Sequence, residues 1–343
     1  LNKSVRQYFR DNKLTKYADV RMWVKAASIF ITLILIYLAI LFGSFSPITL
    51  LLLAMFLGIS KAMLALNVGH DANHHTFSRH KRVNSILSKS FDLLGSNSYI
   101  WDIVHNKVHH TYTNIFHYDT DTDIAPGILR LSPNEKWKPI YRYQHYYGYF
   151  LYFFTAFLRV FRLDFNKFLQ KDIGPFKNIK HPTKEIVNLL LFKTLYFSIF
   201  LVIPYLIIEV KLWQFLIGFF VMMFTEGLLL GTTFQLAHLV NNADFPEPDE
   251  NNTIASCWAV HQMATTANFC TKNWFITNFT GGLNHQIEHH IFPHISHIHY
   301  SHIGAIVKKT AKEFNLPYNE YKTTRSALFS HFRFLKQMGV QPS

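Results

Sequence analysis

Apolar residues fall into two long blocks, and the polar segments beside them are dense in histidine. From Ala26 to Ser60 no side chain carries a formal charge, and Lys61 is the only charged residue before His70. That run is too long for one bilayer crossing, which takes about 20 residues. Gly43, Ser44, Ser46 and Pro47 punctuate it, so the pattern predicts two membrane helices, 26–43 and 47–67, joined as a hairpin. The second block, Ile186 to Ala243, is broken by Glu209 and Lys211. It predicts two more spans, 187–208 and 212–236, with Lys193 snorkelling to the interface. Helices buried in a soluble core rarely sustain such runs without a polar face, which excludes a soluble protein.

Four spans in two hairpins leave both termini and the middle segment, 68–185, on one side. The aromatic stretch Tyr146–Phe154 in that segment leads into Arg159, Arg162 and Lys167. Rings followed by cations predict an in-plane interfacial helix rather than a fifth span. The turn-rich Asp244–Asp249 then opens a helical tail, 244–343. The expected fold is all-α: an integral membrane protein of four transmembrane helices in two hairpins, under a helical cap formed by 68–185 and 244–343. The whole of 1–343 reads as one domain.

Charge fixes the sidedness of that expectation. The chain of 343 residues has a formal net charge of +13. Lys3, Arg6, Arg10, Lys13, Lys16, Arg21 and Lys25 crowd the N-terminal arm, and the first hairpin turn has no cation. The positive-inside rule therefore places both termini and the cap in the cytoplasm. The cations flank apolar spans instead of forming a patch on a soluble module, so anionic membrane lipids, not nucleic acid, are the expected partners. With only Cys257 and Cys270, neither a disulfide framework nor a cysteine metal site is indicated. The N-terminus lacks the short apolar core of a signal peptide.

The chemistry lies in 20 histidines, none in the interior of a predicted span. His70-Asp71-Ala72-Asn73-His74-His75 follows the second span, and His105-Asn106-Lys107-Val108-His109-His110 comes later in the middle segment. Gln286-Ile287-Glu288-His289-His290 lies in the tail after His285, and His238 stands where the fourth span emerges. Residues four apart share a helix face, so His70/His74 and His105/His109 can each grip a common metal. His75 or His110, rotated by about 100°, can reach a second ion. Some eight converging imidazoles suit two metals, and imidazole is a good ligand for iron, zinc or copper. One such spacing is weak; three clusters at one membrane face are strong. His80, His117, His145, His181 and His331 read as ordinary polar residues. His294, His297, His299 and His302, past Pro293, read as surface or supporting groups.

These residues resemble the membrane fatty acid desaturases, specifically their front-end branch (delta-5/delta-6-like, linoleoyl-CoA desaturase-like). His70-Asp71-x-x-His74 looks like the first histidine box. Trp101-Asp102-Ile103-Val104-His105-Asn106-Lys107-Val108-His109-His110, continuing to Asn114–Asp119, looks like the second. Asn284-His285-Gln286-Ile287-Glu288-His289-His290-Ile291-Phe292-Pro293 looks like the third, where front-end enzymes carry Gln in place of His. The likeness extends over roughly 25–310. It implies a di-iron centre held in the cap by His70, His74, His105, His109, His110, His238, His289 and His290. It places Gln286 near the metals, and Asp71 and Asp119 as carboxylates that fix imidazole tautomers. Either His285 or Gln286 faces the metals, and the doublet His74-His75 leaves the same choice in the first box.

The resemblance implies an O₂-dependent fatty acyl desaturase acting on an acyl-CoA or acyl-lipid. An unactivated methylene has no acidic proton, so its hydrogen must be taken by a metal-derived oxidant. Front-end enzymes commonly carry a fused cytochrome b5 domain with a His-Pro-Gly-Gly haem motif. This sequence has none, so a separate ferredoxin, or cytochrome b5 with its reductase, is the expected electron donor. The nearest alternative is a di-iron hydroxylase on the same scaffold. A zinc hydrolase would use about three ligands rather than eight. A haem protein or metal transporter would place histidines or acids at mid-span, where only Glu226 is found.

Overall fold

The computed structural model describes residues 1–121, 124–251 and 253–342. It is mostly helical. In chain order the helices are α1 (Asn2–Asp11), α2 (Val20–Phe42), α3 (Pro47–Asn73), α4 (Lys81–Leu93), α5 (98–112), α6 (Gln144–Tyr152) and α7 (155–169). There follow α8 (Thr183–Ile207), α9 (Leu212–His238), α10 (Trp258–Ala264), α11 (Trp274–Phe279), α12 (Gln286–Ile291), α13 (Tyr300–Glu313) and α14 (Thr324–Met338). Two three-residue strands, β1 (Ala267–Phe269) and β2 (Asn319–Tyr321), pair in parallel, so the all-α expectation holds apart from this small bridge.

Among the described residues four helices, α2, α3, α8 and α9, are long and apolar enough to cross a membrane. Their bounds differ from the sequence reading at the ends. α2 starts at Val20 because Asp19 caps it, accepting from the Met22 N–H at 3.0 Å, so Arg21 and Lys25 lie inside the helix. Ser46 and Pro47 start α3 in the same way, with a side-chain cap and a proline whose missing N–H costs nothing in the first turn. α3 and α9 run on past their apolar stretches to Asn73 and His238, so each carries histidine on the same rigid rod as its span. The aromatic stretch 146–154 forms no helix of span length: α6 has 9 residues and ends at Tyr152.

In the most apolar windows of α3 and α9, 39% of residues are buried, against 11% in α2 and 22% in α8; α3 and α9 are therefore the inner pair. They approach closely where Gly58 lies on the Met222 carbonyl, leaving no room for a Cβ. Inside this seam Lys61 Nζ lies 2.7 Å from Glu226 Oε2 and donates to the Tyr196 hydroxyl at 3.2 Å, joining α3, α9 and α8. The exposed faces of α2 and α8, with Ile31, Leu35, Leu190 and Leu206, are apolar as a lipid-facing surface must be.

Among the described residues four helices contain π turns: 65–69 in α3, 102–109 in α5, 159–163 in α7 and 198–202 in α8. Two of these lie within the histidine boxes or directly before them, and π segments concentrate at functional sites. The remaining helices gather where α3 and α9 end. There Val5 of α1 shares a core with Ile287 and Ile291 of α12 and Tyr300 and Ile303 of α13, which backs the third histidine box.

Candidate metal centre

Four elements bring eight histidines to one place. α3 ends in His70 with His74 at its cap, α5 carries His105, His109 and His110, α9 ends in His238, and α12 presents His289 and His290. Ring nitrogens of His70, His74, His105 and His289 lie within 4.8 Å of one another, as do those of His109, His238 and His290. His110 groups with His289 and His290, between the two nests. All except His74, which is half-buried, are buried.

One expectation is corrected. His105 and His109 do not share a nest. In the π turn each N–H bonds five residues back, so residues five apart stack on one face. His105 and His110 therefore meet, Nε2 to Nε2 at 3.2 Å, while His109 turns toward His238 and His290, with ring centroids 4.6 and 4.9 Å away.

The outer edge of most rings is held. His105 Nδ1 donates to Asp121 at 2.6 Å, and His109 Nδ1 donates to Asp119 at 2.9 Å. The Gln262 carbonyl accepts from His290 Nδ1 at 2.7 Å, the Thr265 carbonyl lies 3.4 Å from His238 Nδ1, and the Tyr300 hydroxyl lies 3.0 Å from His289 Nδ1. With Nδ1 protonated and engaged, Nε2 carries the lone pair and points inward. The Nε2 atoms of His70, His74, His109, His289 and His290 are buried without a hydrogen-bond partner. Buried polar atoms are normally satisfied, so five convergent orphans mark a site that could hold metal ions.

Electrostatics agree. Burial first, then the neighbouring imidazoles, hold His74, His105, His110, His289 and His290 far below the ordinary histidine range, so they are neutral, ligand-ready bases. His109 differs. Burial would lower it, but the Asp119 carboxylate overrides that and raises it. The field that would welcome a second proton on His109 equally welcomes a metal cation at its Nε2.

The open choices resolve geometrically. His74 faces the nest, while His75 is exposed at a positive φ of 58°. Gln286 lies on the second nest, its amide Nε2 2.9 Å from His238 Nε2; His285 points away, 3.8 Å from Glu288. Asp119 accepts from the nest imidazole of His109. Asp71 has His70 of the first nest among its side-chain hydrogen-bond partners, and it also lies 2.9 Å from His297 and accepts from Ser296 Oγ at 2.8 Å, tying α3 to the segment after Pro293. Sequence reasoning missed Asp121, Gln262, Thr265 and Tyr300 as supports. Only Asp121, two residues beyond Asp119, stood close enough to a box to be suspected. A cavity opens beside the nests, lined by His70, Trp101 and Asp121 at one end and by Leu230, Phe234 and Glu226 along α9.

The fatty acid desaturase family model matches residues 45–322, across all three boxes. The chain belongs to the fatty acid desaturase family. It is 36% identical over 345 residues to the sn-1 linoleoyl-lipid 6-desaturase of Synechocystis sp., covering 99% of this chain and 94% of that protein. It is 34% identical to the acyl-lipid (8-3)-desaturase of Physcomitrium patens, covering 98% of this chain and 70% of that one. With the sn-1 linoleoyl-lipid 6-desaturase of Arthrospira platensis the identity is 33%, covering all of this chain and 92% of the relative. The protein is thus a membrane oxidoreductase, a fatty acyl desaturase with histidine groups suited to metal. The hydroxylase alternative is not favoured.

Proposed function

We propose that this desaturase inserts a cis double bond into the acyl chain of a membrane lipid, between an existing double bond and the carboxyl end. Two iron ions would be held by His70, His74, His105, His109, His110, His238, His289 and His290. The observation that carries this reading is the pair of adjoining imidazole nests with unpartnered Nε2 atoms beside an apolar cavity. An acyl-lipid rather than an acyl-CoA is favoured because all three relatives above are named as lipid desaturases. The spans form two hairpins beneath a cytoplasmic cap in one domain, 1–343, and electrons come from a separate ferredoxin or cytochrome b5.

When bound, the irons would supply O₂ reduction and the removal of two hydrogen atoms from adjacent methylenes, chemistry no side chain provides. The chain's own residues position and protect. Asp119, Asp121, Gln262 and Tyr300 lock the imidazole rings from outside, so the nests are organised before metal arrives. Trp101 stacks on His105 at 4.1 Å between ring centroids and forms a flat wall where the cavity meets the first nest. Leu230 and Phe234 continue that wall along α9 and exclude water from the chain. Such a slot presents one pair of methylenes to the metals and holds the rest away.

The test is fatty-acid profiling by gas chromatography–mass spectrometry of cells that express the protein with a donor. A new unsaturated lipid acyl chain, with its bond mapped to the carboxyl side of an existing one and absent from His289→Ala, supports the reading. A hydroxylated product would transfer it to an oxygenase. Protein that purifies without iron and makes no new species would sink it.

A further inference from the structure

Two features remain outside that site: the cationic N-terminal arm and the histidines after Pro293. The fold joins them. Arg6 and Arg10, one turn apart on α1, and Lys16 beyond its end face Phe292, His294 and Ile295 across a cavity. The arm is fastened there. Val5 is buried against the core behind α12, and the Ser296 N–H donates to the Lys16 carbonyl at 2.9 Å. Arg6 and Arg10 are exposed, and the Arg10 side chain donates to Gln7. Among the described residues none of the three cations forms an ion pair. Burial, then Lys16 and Arg6, hold His294 below the ordinary histidine range, a sign of how closely positive charge is gathered. Like charges held together without a counter-charge are costly, and an approaching anionic surface relieves that cost.

The groove is also the near wall of the site. Buried Phe292, which caps α12, lines it three residues after His289 and two after His290, so a short stretch of chain links the groove to both nests. Desaturation needs an electron source. The two carbons lose two hydrogens, and O₂ becomes two waters by taking those hydrogens, two further protons and two electrons.

We propose that the Arg6–Arg10–Lys16–His294 groove is the docking surface for an acidic one-electron carrier protein, which is oxidised there twice per double bond. This rests on the desaturase reading above. A lipid headgroup is the competing occupant, and the position against the third histidine box, whose buried Phe292 and Ile295 back the groove, favours the protein.

The experiment uses the full chain in nanodiscs, with an acidic ferredoxin and then a soluble cytochrome b5 as probes. In each case an NADPH-linked reductase is supplied. Turnover is followed against donor concentration at several salt concentrations. Arg6→Glu/Arg10→Glu/Lys16→Glu is expected to raise the donor KM roughly tenfold and to flatten its salt dependence. Iron content, lipid KM and turnover driven by dithionite should hold. Lys171→Glu/Lys180→Glu, exposed elsewhere, should leave donor KM unchanged. The milder Arg6→Gln/Arg10→Gln guards against misfolding, with a smaller rise in the same direction. Unchanged donor KM, or an equal rise in the control, overturns the proposal. So does a loss that follows the anionic lipid content of the nanodisc rather than the donor. If wild-type protein makes no alkene even with dithionite, the desaturase reading has failed, not the docking surface.

Discussion

Gln286 stands 2.9 Å from His238, its amide nitrogen against the ring Nε2, on the side that the Thr265 carbonyl leaves free. A neutral amide thus sits at the second nest where another imidazole would add a strong ligand. Amide oxygen and nitrogen exchange places by a flip, so the same side chain can donate to His238 or turn its oxygen inward. Gln286→Ala should lower iron from two per chain toward one and cut turnover by roughly 10–100-fold, as loss of a supporting partner does. Gln286→His, which keeps a nitrogen at this place, should lose less. Iron per chain by mass spectrometry, beside turnover, checks both; full iron in Gln286→Ala would contradict the assignment.

Asp119 and Asp121 anchor neighbouring rings that serve different nests: His109 in one, His105 in the other. Asp119→Asn should therefore weaken the His109 nest and Asp121→Asn the His105 nest, each by roughly 10–100-fold in metal affinity. The two losses should be separable by iron titration of stripped protein, with one of two binding steps displaced in each variant. A single step displaced equally by both would mean that the nests do not act as separate sites.

The spans were legible because a bilayer imposes a length and a composition that few soluble helices match. The boxes were legible because histidine clusters beside spans are rare. What escaped was local. The π turn over 102–109 regroups His105, His109 and His110, and no side-chain pattern announces a change from four-residue to five-residue hydrogen bonding. The cap residue Asp19 moved the start of α2 from 26 to 20 by a local hydrogen bond, whereas α3 starts at Pro47 as expected. Gln262, 28 residues from His290, and Thr265, 27 from His238, support the nests through tertiary contact alone. Asp71 was assigned to a nest by its place in the first box. The fold engages it with His297 as well, because the segment after Pro293 returns beside α3.

Acid should destabilise the metal-free protein. His331, buried between the Tyr152 hydroxyl and the Leu239 carbonyl, is lowered to about 4 by burial, although the carbonyl opposes this. His105, His110, His289 and His290 are held low for the reasons given above, while unfolded histidines titrate near about 6.5. Below that pH the unfolded chain takes up protons that the folded chain refuses, so stability present above about 6.5 is lost as pH falls toward the folded values. His331 alone contributes on the order of 3 kcal/mol at neutral pH by this linkage. His109, raised by Asp119, acts in the opposite sense but is outnumbered. The melting temperature of chelator-treated protein should be flat above about pH 7.5 and fall steadily below about pH 6.5. A melting temperature that rises on acidification would contradict the neutral nests.

The Lys61–Glu226 pair gives the last prediction. Neither residue is more than 3% exposed, and both lie within spans, where an unpaired charge is expensive. Glu226→Ala strands the Lys61 ammonium against Tyr196 and Phe200, whose rings it already faces at 4.8 and 4.7 Å. Rings and one hydroxyl compensate only part of the lost carboxylate, so this variant should lose about 3–5 kcal/mol. Lys61→Met/Glu226→Leu removes both charges and fills the seam between α3 and α9 with side chains of similar volume. It should recover most of that loss, because two desolvated charges hold little net advantage over good apolar packing. Chemical denaturation of the detergent-solubilised protein, run as a double-mutant cycle, measures the coupling. If the double variant is as unstable as Glu226→Ala, the seam depends on a feature of the pair other than mutual neutralisation. If Glu226→Ala is as stable as wild type, Lys61 reaches another counter-charge when released.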